Sequence, residues 1–154
     1  MSLAEIVTRE INDLLDETFE SVKGQYLDPE TSLFETLATV TAEEASRPVS
    51  DTCASIAAQV EHVRYYLEVL QRYMRGEEPD DVDWSMAWQI REVTADEWAA
   101  SIDRLRDEYR NVRTLIDTYD DWLGEDQFSG ALSILVHSAY HLGEIRQALC
   151  TVRR

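Results

Sequence analysis

Apolar residues recur along this chain at alternating steps of three and four, the spacing that lines one face of an α-helix. Four long segments carry the pattern. The first holds Leu3, Ile6, Val7, Ile11, Leu14, Leu15, Phe19 and Val22, behind a Ser2/Glu5 capping box, with Gly24 as its C-cap. The second begins near Ser50 or Asp51, carries Ile56, Val60, Val63, Leu67, Leu70 and Met74, and ends at Gly76. The third opens on a Thr94/Glu97 capping box. Its stripe of Trp98, Ile102, Leu105, Tyr109, Val112, Ile116 and Tyr119 has the average period, close to 3.5, of a left-handed bundle seam. The fourth runs from about Asp126 to Val152.

Two long connections separate these segments. One, QYLDPETSLFETLATVTAEEASRPVS, has room for a short helix over SLFETLATV and a turn at TAEE before Pro48. The other, EEPDDVDWSMAWQIREV, is rich in carboxylates and holds Trp84 and Trp88. No strand-like alternation and no internal repeat competes. The pattern therefore predicts an all-α, four-helix bundle, a single domain over residues 1–154, with connections too long for simple up-down-up-down topology.

Charge narrows the partners. With 14 Lys and Arg against 31 Asp and Glu, the formal net charge is −17. Such a chain repels phosphate backbones and anionic lipid surfaces, so neither nucleic acid nor membrane is expected as a partner. No apolar run approaches the ~20 residues of a membrane span. The acidic N-terminus lacks the basic n-region of a signal peptide, and the expected location is the cytoplasm. Cys53 and Cys150 are too few for a disulfide framework. Read as helical, each lies nine residues from a histidine, half a revolution round and about 13 Å along, so both thiols are expected to point away as small core or boundary residues.

The chemistry lies in the three histidines. His137 and His141 are four apart in SILVHSAYHLGEIRQAL, and on a helix they stand on one face. His62 lies in a second apolar segment, AAQVEHVRYYLEVL. Three imidazoles with one open position are how proteins build catalytic zinc sites. A histidine on an apolar face also serves as a core residue with a satisfied hydrogen bond, and spacing alone leaves both readings open. P-loop, dinucleotide-binding, nucleophile-elbow and CxxC motifs are absent, as are the paired Glu and ExxH motifs of di-iron bundles.

The order of these features, with His62 and the H-x-x-x-H-x-G-[QE]-I pattern of His137, His141, Gly143, Glu144 and Ile145, resembles the DinB/YfiT-like superfamily of bacterial bundles. The resemblance spans essentially the whole chain. It implies an up-down-down-up bundle that forms a homodimer, with His62, His137 and His141 binding one divalent metal ion and water completing the site. It also implies a small-molecule substrate. Some members are thiol transferases that use bacillithiol or mycothiol; others were proposed to be metal-dependent hydrolases, and many have no established activity. A thiol transferase is the favoured reading. The alternatives are a hydrolase using metal-bound hydroxide and a non-catalytic metal- or ligand-binding bundle.

Imidazole ligands make zinc the default ion, with nickel as an alternative. Glu144 shares the histidine face and is the candidate catalytic residue, as a general base, a partner for an imidazole N–H or a fourth ligand. Tyr66, one turn beyond His62, and the two tryptophans of the connection are expected mainly as packing residues, with a place at the pocket as the alternative and, for the tryptophans, a dimer seam as another. Gly143, in mid-helix, is expected to admit close approach of a neighbouring helix or ligand. Arg64, Arg91 and Arg146 are candidate anchors for a charged substrate group.

Overall fold

A computed structural model describes residues 1–154. Four long helices account for most of the chain: α1 (Leu3–Phe19), α4 (Ile56–Met74), α5 (Ala95–Ile116) and α6 (Gln127–Val152). Two five-residue helices, α2 (Leu33–Leu37) and α3 (Ala42–Ser46), fill the first long connection, and a 3₁₀ turn at Ala87–Gln89 interrupts the second. The protein is all-helical, without strands. No helix is long and apolar enough to cross a membrane.

Local chemistry sets most helix starts. Ser2, Ser32, Thr41 and Thr94 each close a capping box with the glutamate three residues on, which satisfies two backbone donors that a helix start leaves open. The α4 start differs from the sequence expectation. Its cap is Ser55, whose hydroxyl accepts from the Ala58 N–H, and residues 50–54 precede the helix as turns. Ser50, Asp51 and Ser55 are all good capping types, so sequence alone placed the boundary too early. Helix α5 stops at Ile116, short of Tyr119, whose hydroxyl instead donates to the Met74 carbonyl at the end of α4.

Facing helices share one apolar core in which Leu15, Phe19, Leu67, Leu105, Ile116, Ile134 and Ile145 are fully buried. Each such side chain contributes ~2 kcal/mol of transfer free energy. Polar contacts fix which helices meet. Asn12 of α1 donates to Asp117 after α5 at 2.7 Å, and Asp16 receives Arg113 and Tyr109. Gln71 of α4 donates to Glu108 of α5 at 2.9 Å. Helix α6 takes the Met74 side chain of α4 against a glycine: a Cβ on Gly130 would lie 2.4 Å from Met74 Cγ. Gly143, expected to be the close-packing glycine, faces open space, with nothing within 4 Å of a Cβ built there.

A second feature has no sequence signature. Glu17 is completely buried, and its carboxylate accepts four backbone N–H bonds, from Lys23, Gln25, Tyr26 and Leu27. It ties the chain after α1 back onto that helix, with Gly24 at φ +84° supplying the bend. Burial alone would raise its pKa, but the four donors outweigh that and hold it below the usual carboxylate value.

Candidate metal centre

Helices α4 and α6 bring the three histidines together. His62 projects from α4, and His137 and His141 project one turn apart from α6. One ligand atom from each lies within 4.8 Å of the others. Ring centroids are 4.9 Å apart for His62 and His137, 4.9 Å for His62 and His141, and 4.5 Å for His137 and His141. His62 and His141 are buried and His137 is half-buried.

The hydrogen bonding is uneven. His141 Nδ1 lies 3.1 Å from Glu144 Oε2 and 3.3 Å from Gln59 Oε1. Both oxygens are acceptors, so Nδ1 carries the proton and Nε2 is left as the free lone pair. Buried His62 Nδ1 and His137 Nε2 have no hydrogen-bond partner at all. Burial, with the neighbouring His141 adding to it, pushes the His62 pKa down to about 4. Burial and the other two rings push His137 down to about 3, and burial also lowers His141. At neutral pH all three rings are therefore uncharged, the state in which imidazole coordinates a metal. Three neutral nitrogen donors, two of them orphaned, fit a divalent cation.

Aromatic side chains flank the rings. Trp88 stacks on His62 at 4.2 Å between centroids, and Tyr66 stacks on His137 at 3.6 Å. Trp84 lies edge-on to His62 at 6.3 Å. The main expectation of packing roles thus gives way for both tryptophans: they are more than a third exposed and cover the histidines from the connection between α4 and α5. Tyr65 helps anchor that connection by accepting from the Asp83 N–H. Tyr66 both packs on the core and touches the site.

A cavity of about 710 Å³ opens beside His141 and Glu144. Of the three candidate arginines only Arg91 lines it. Arg64 is clamped by Glu61 and Glu68, and Arg146 donates to Thr36. Cys53 also lines this cavity, contrary to expectation, because it lies in the turns before α4 where helical spacing does not apply. Both cysteines are exposed rather than core residues. Gln59 belongs to no motif, although its place three residues before His62, on the same helix face, is a usable signal in the sequence.

The family model of the DinB superfamily matches residues 29–145, a span that includes all three histidines and Glu144. The chain belongs to the DinB superfamily. No curated protein and no solved structure matches it. Within this DinB-superfamily protein, the histidine cluster is the group of side chains suited to hold a metal ion.

Proposed function

We propose that this protein binds one divalent metal ion, zinc by default and nickel as an alternative, through His62, His137 and His141, and that it is a transferase activating a small thiol. The carrying observation is the pair of buried imidazole nitrogens, His62 Nδ1 and His137 Nε2, left without partners beside a third imidazole. An unsatisfied buried polar atom costs ~1–3 kcal/mol, so two in one cluster call for a common partner. A bound divalent ion supplies Lewis acidity that draws the pKa of a coordinated thiol or water toward neutrality.

The chain's own residues shape that chemistry. Glu144 and Gln59 hold the His141 ring by its Nδ1–H, and the carboxylate makes Nε2 a better donor. Trp88 and Tyr66 shield the His62 and His137 faces from water. Glu144 also lines the cavity, where its carboxylate can take a proton from an incoming nucleophile and return it to a leaving group. A thiol loses its proton more readily than water, so transfer demands less of that base than hydrolysis does. Hydrolysis stands as the second reading because Glu144 occupies a cavity wall where it could serve a water molecule equally well.

The test incubates zinc-loaded protein with bacillithiol, mycothiol or glutathione and a haloaromatic or epoxide acceptor. Thiol-dependent turnover lost in His137→Ala supports the transferase. Thiol-independent cleavage of esters or amides with the same dependence reverses the order, and inactivity in both assays favours a non-catalytic metal- or ligand-binding role.

The same reading includes an up-down-down-up bundle, a homodimer and a cytoplasmic location. The connectivity is supported by contact order: Gln71 meets Glu108 and Met74 meets Tyr119, so numbering rises together along α4 and α5. It runs oppositely between α1 and α5, where Asn12 meets Asp117 and Glu20 meets Arg106, and between α4 and α6, where Gln59 meets His141 and Met74 meets Gly130. Light scattering at micromolar concentration tests the dimer; a monomer mass contradicts it.

A further inference from the structure

The histidine cluster is reached from two sides. On one side is the 710 Å³ cavity, which meets His141 and is lined by charged and polar groups, Asp51, Arg91, Glu144, Gln147 and Thr151 among them. On the other is a groove of about 440 Å³ that meets His137. It is lined by Tyr66, Leu132, Ser133, Val136 and Tyr140 besides His137, and no charged residue lines it. Tyr140 belongs to both linings and stands between them.

The two walls differ in a way that the rest of the surface does not explain. Arg91 forms no ion pair and no side-chain hydrogen bond, in a chain where acidic residues outnumber basic ones 31 to 14 and arginines such as Arg64, Arg72 and Arg113 are all paired. A guanidinium left free at a cavity wall is a seat for a carboxylate or similar oxyanion. Conversely, α6 carries no charged residue from Gln127 to Gly143, and Leu132, Val136 and Tyr140 lie exposed along it at 38%, 66% and 62%. In a chain of net charge −17 an uncharged apolar groove of that size selects an uncharged small molecule.

We propose that the centre takes two ligands at once, an anion-bearing polar one seated on Arg91 in the cavity and an uncharged apolar one in the Leu132–Val136 groove, with Tyr140 separating them. This rests on the reading of the histidine cluster as the reactive centre, and it gives that reading a direction. Two differently lined approaches to one centre are the layout of group transfer between two substrates; hydrolysis needs only one organic substrate and water.

The test uses full-length protein with and without zinc, with metal content measured in each sample, and follows methyl resonances. The probes are propionate and 3-mercaptopropionate for the cavity and benzyl alcohol for the groove. Expected are shifts at Ala148 and Thr151 with the carboxylates, shifts at Leu132 and Val136 with benzyl alcohol, and unchanged affinity for each when the other is saturating. Arg91→Ala should weaken propionate at least fivefold and leave benzyl alcohol unaffected; Val136→Glu should do the reverse. Both side chains are exposed, so folding is not at stake. Competition between the probes, or indifference of propionate to Arg91→Ala, overturns the proposal. Zinc that fails to bind while both probes still occupy separate sides removes the metal reading and leaves the two-sided layout. Zinc binding with competing probes does the opposite.

Discussion

Two buried polar sites in this protein contrast sharply. At Glu17 a fully buried carboxylate meets four backbone donors. At the histidine cluster, two buried ring nitrogens meet none. Glu17 is a polar group whose partners are all built into the chain, and its consequence is a loop held on a helix. The two histidine nitrogens are polar groups for which the chain supplies no partner. Satisfied burial marks architecture, and unsatisfied burial in a cluster of metal-binding residue types marks a site.

The sharpest way to break this contrast is to remove the ligands. Replacing His137 and His141 together with alanine should abolish zinc binding, read by metal analysis and by loss of the thermal shift on adding zinc. Tight zinc binding in that variant would end the proposal. The next effect belongs to the other site. Glu17→Gln places an amide where four backbone donors converge and should cost about 3 kcal/mol in denaturant unfolding, since hydrogen bonds to charged groups are worth ~1.5–3 kcal/mol and donors are left unmet. Zinc affinity in that variant should stay within a factor of about two, because Glu17 is not among the cluster's neighbours.

Glu144→Gln should weaken zinc about tenfold without unfolding the protein, the usual penalty for losing the partner of a ligating imidazole. Acid should separate the two sites by pH window. The metal-free histidines stay neutral in the fold, with His62 held down to about 4 and His137 to about 3, whereas in the unfolded chain they take up protons near 6.5. Their contribution is therefore complete above pH 6.5 and lost as pH falls toward 4 and 3. The Glu17 pKa is lowered too, but here the fold favours the charged form, so its contribution is present above the ordinary carboxylate range and is lost as pH falls through that range toward the lowered value. Unfolding free energy measured against pH in the double histidine variant should lose the His137 and His141 share of the upper slope, keep the share of His62, and keep the lower part. The smallest effects concern two glycines of α6. Gly143→Ala should stabilise by about 0.5–1 kcal/mol, as helix propensity dictates where space is open. Gly130→Ala should destabilise by about 1–2 kcal/mol, because Met74 must move.

These cases show what a sequence reveals. Capping boxes at Ser2/Glu5 and Thr94/Glu97 are local chemistry, and both lie where the pattern placed them. The fourth helix, expected from about Asp126 to Val152, spans Gln127–Val152 because its apolar pattern is long and uninterrupted. The three histidines were findable because helical spacing and the family motif both constrain them. Glu17 was not: an acceptor for backbone donors six to ten residues away leaves no pattern in side-chain types. Cys53 was misplaced because several capping residues compete before α4, and the close contact expected at Gly143 falls instead at Gly130 because it depends on Met74 across the bundle.

The stacking of Trp88 on His62, with Trp84 nearby, also gives the protein an optical reporter. Indole emission is sensitive to charge and to open-shell ions at such distances. Two of the four tryptophans sit at the cluster, while Trp98 and Trp122 donate to Val40 and Thr8 elsewhere. Filling of the histidine cluster by nickel or copper can therefore be titrated by quenching, without a label or a known substrate, and a Trp88→Phe variant identifies how much of the signal arises there.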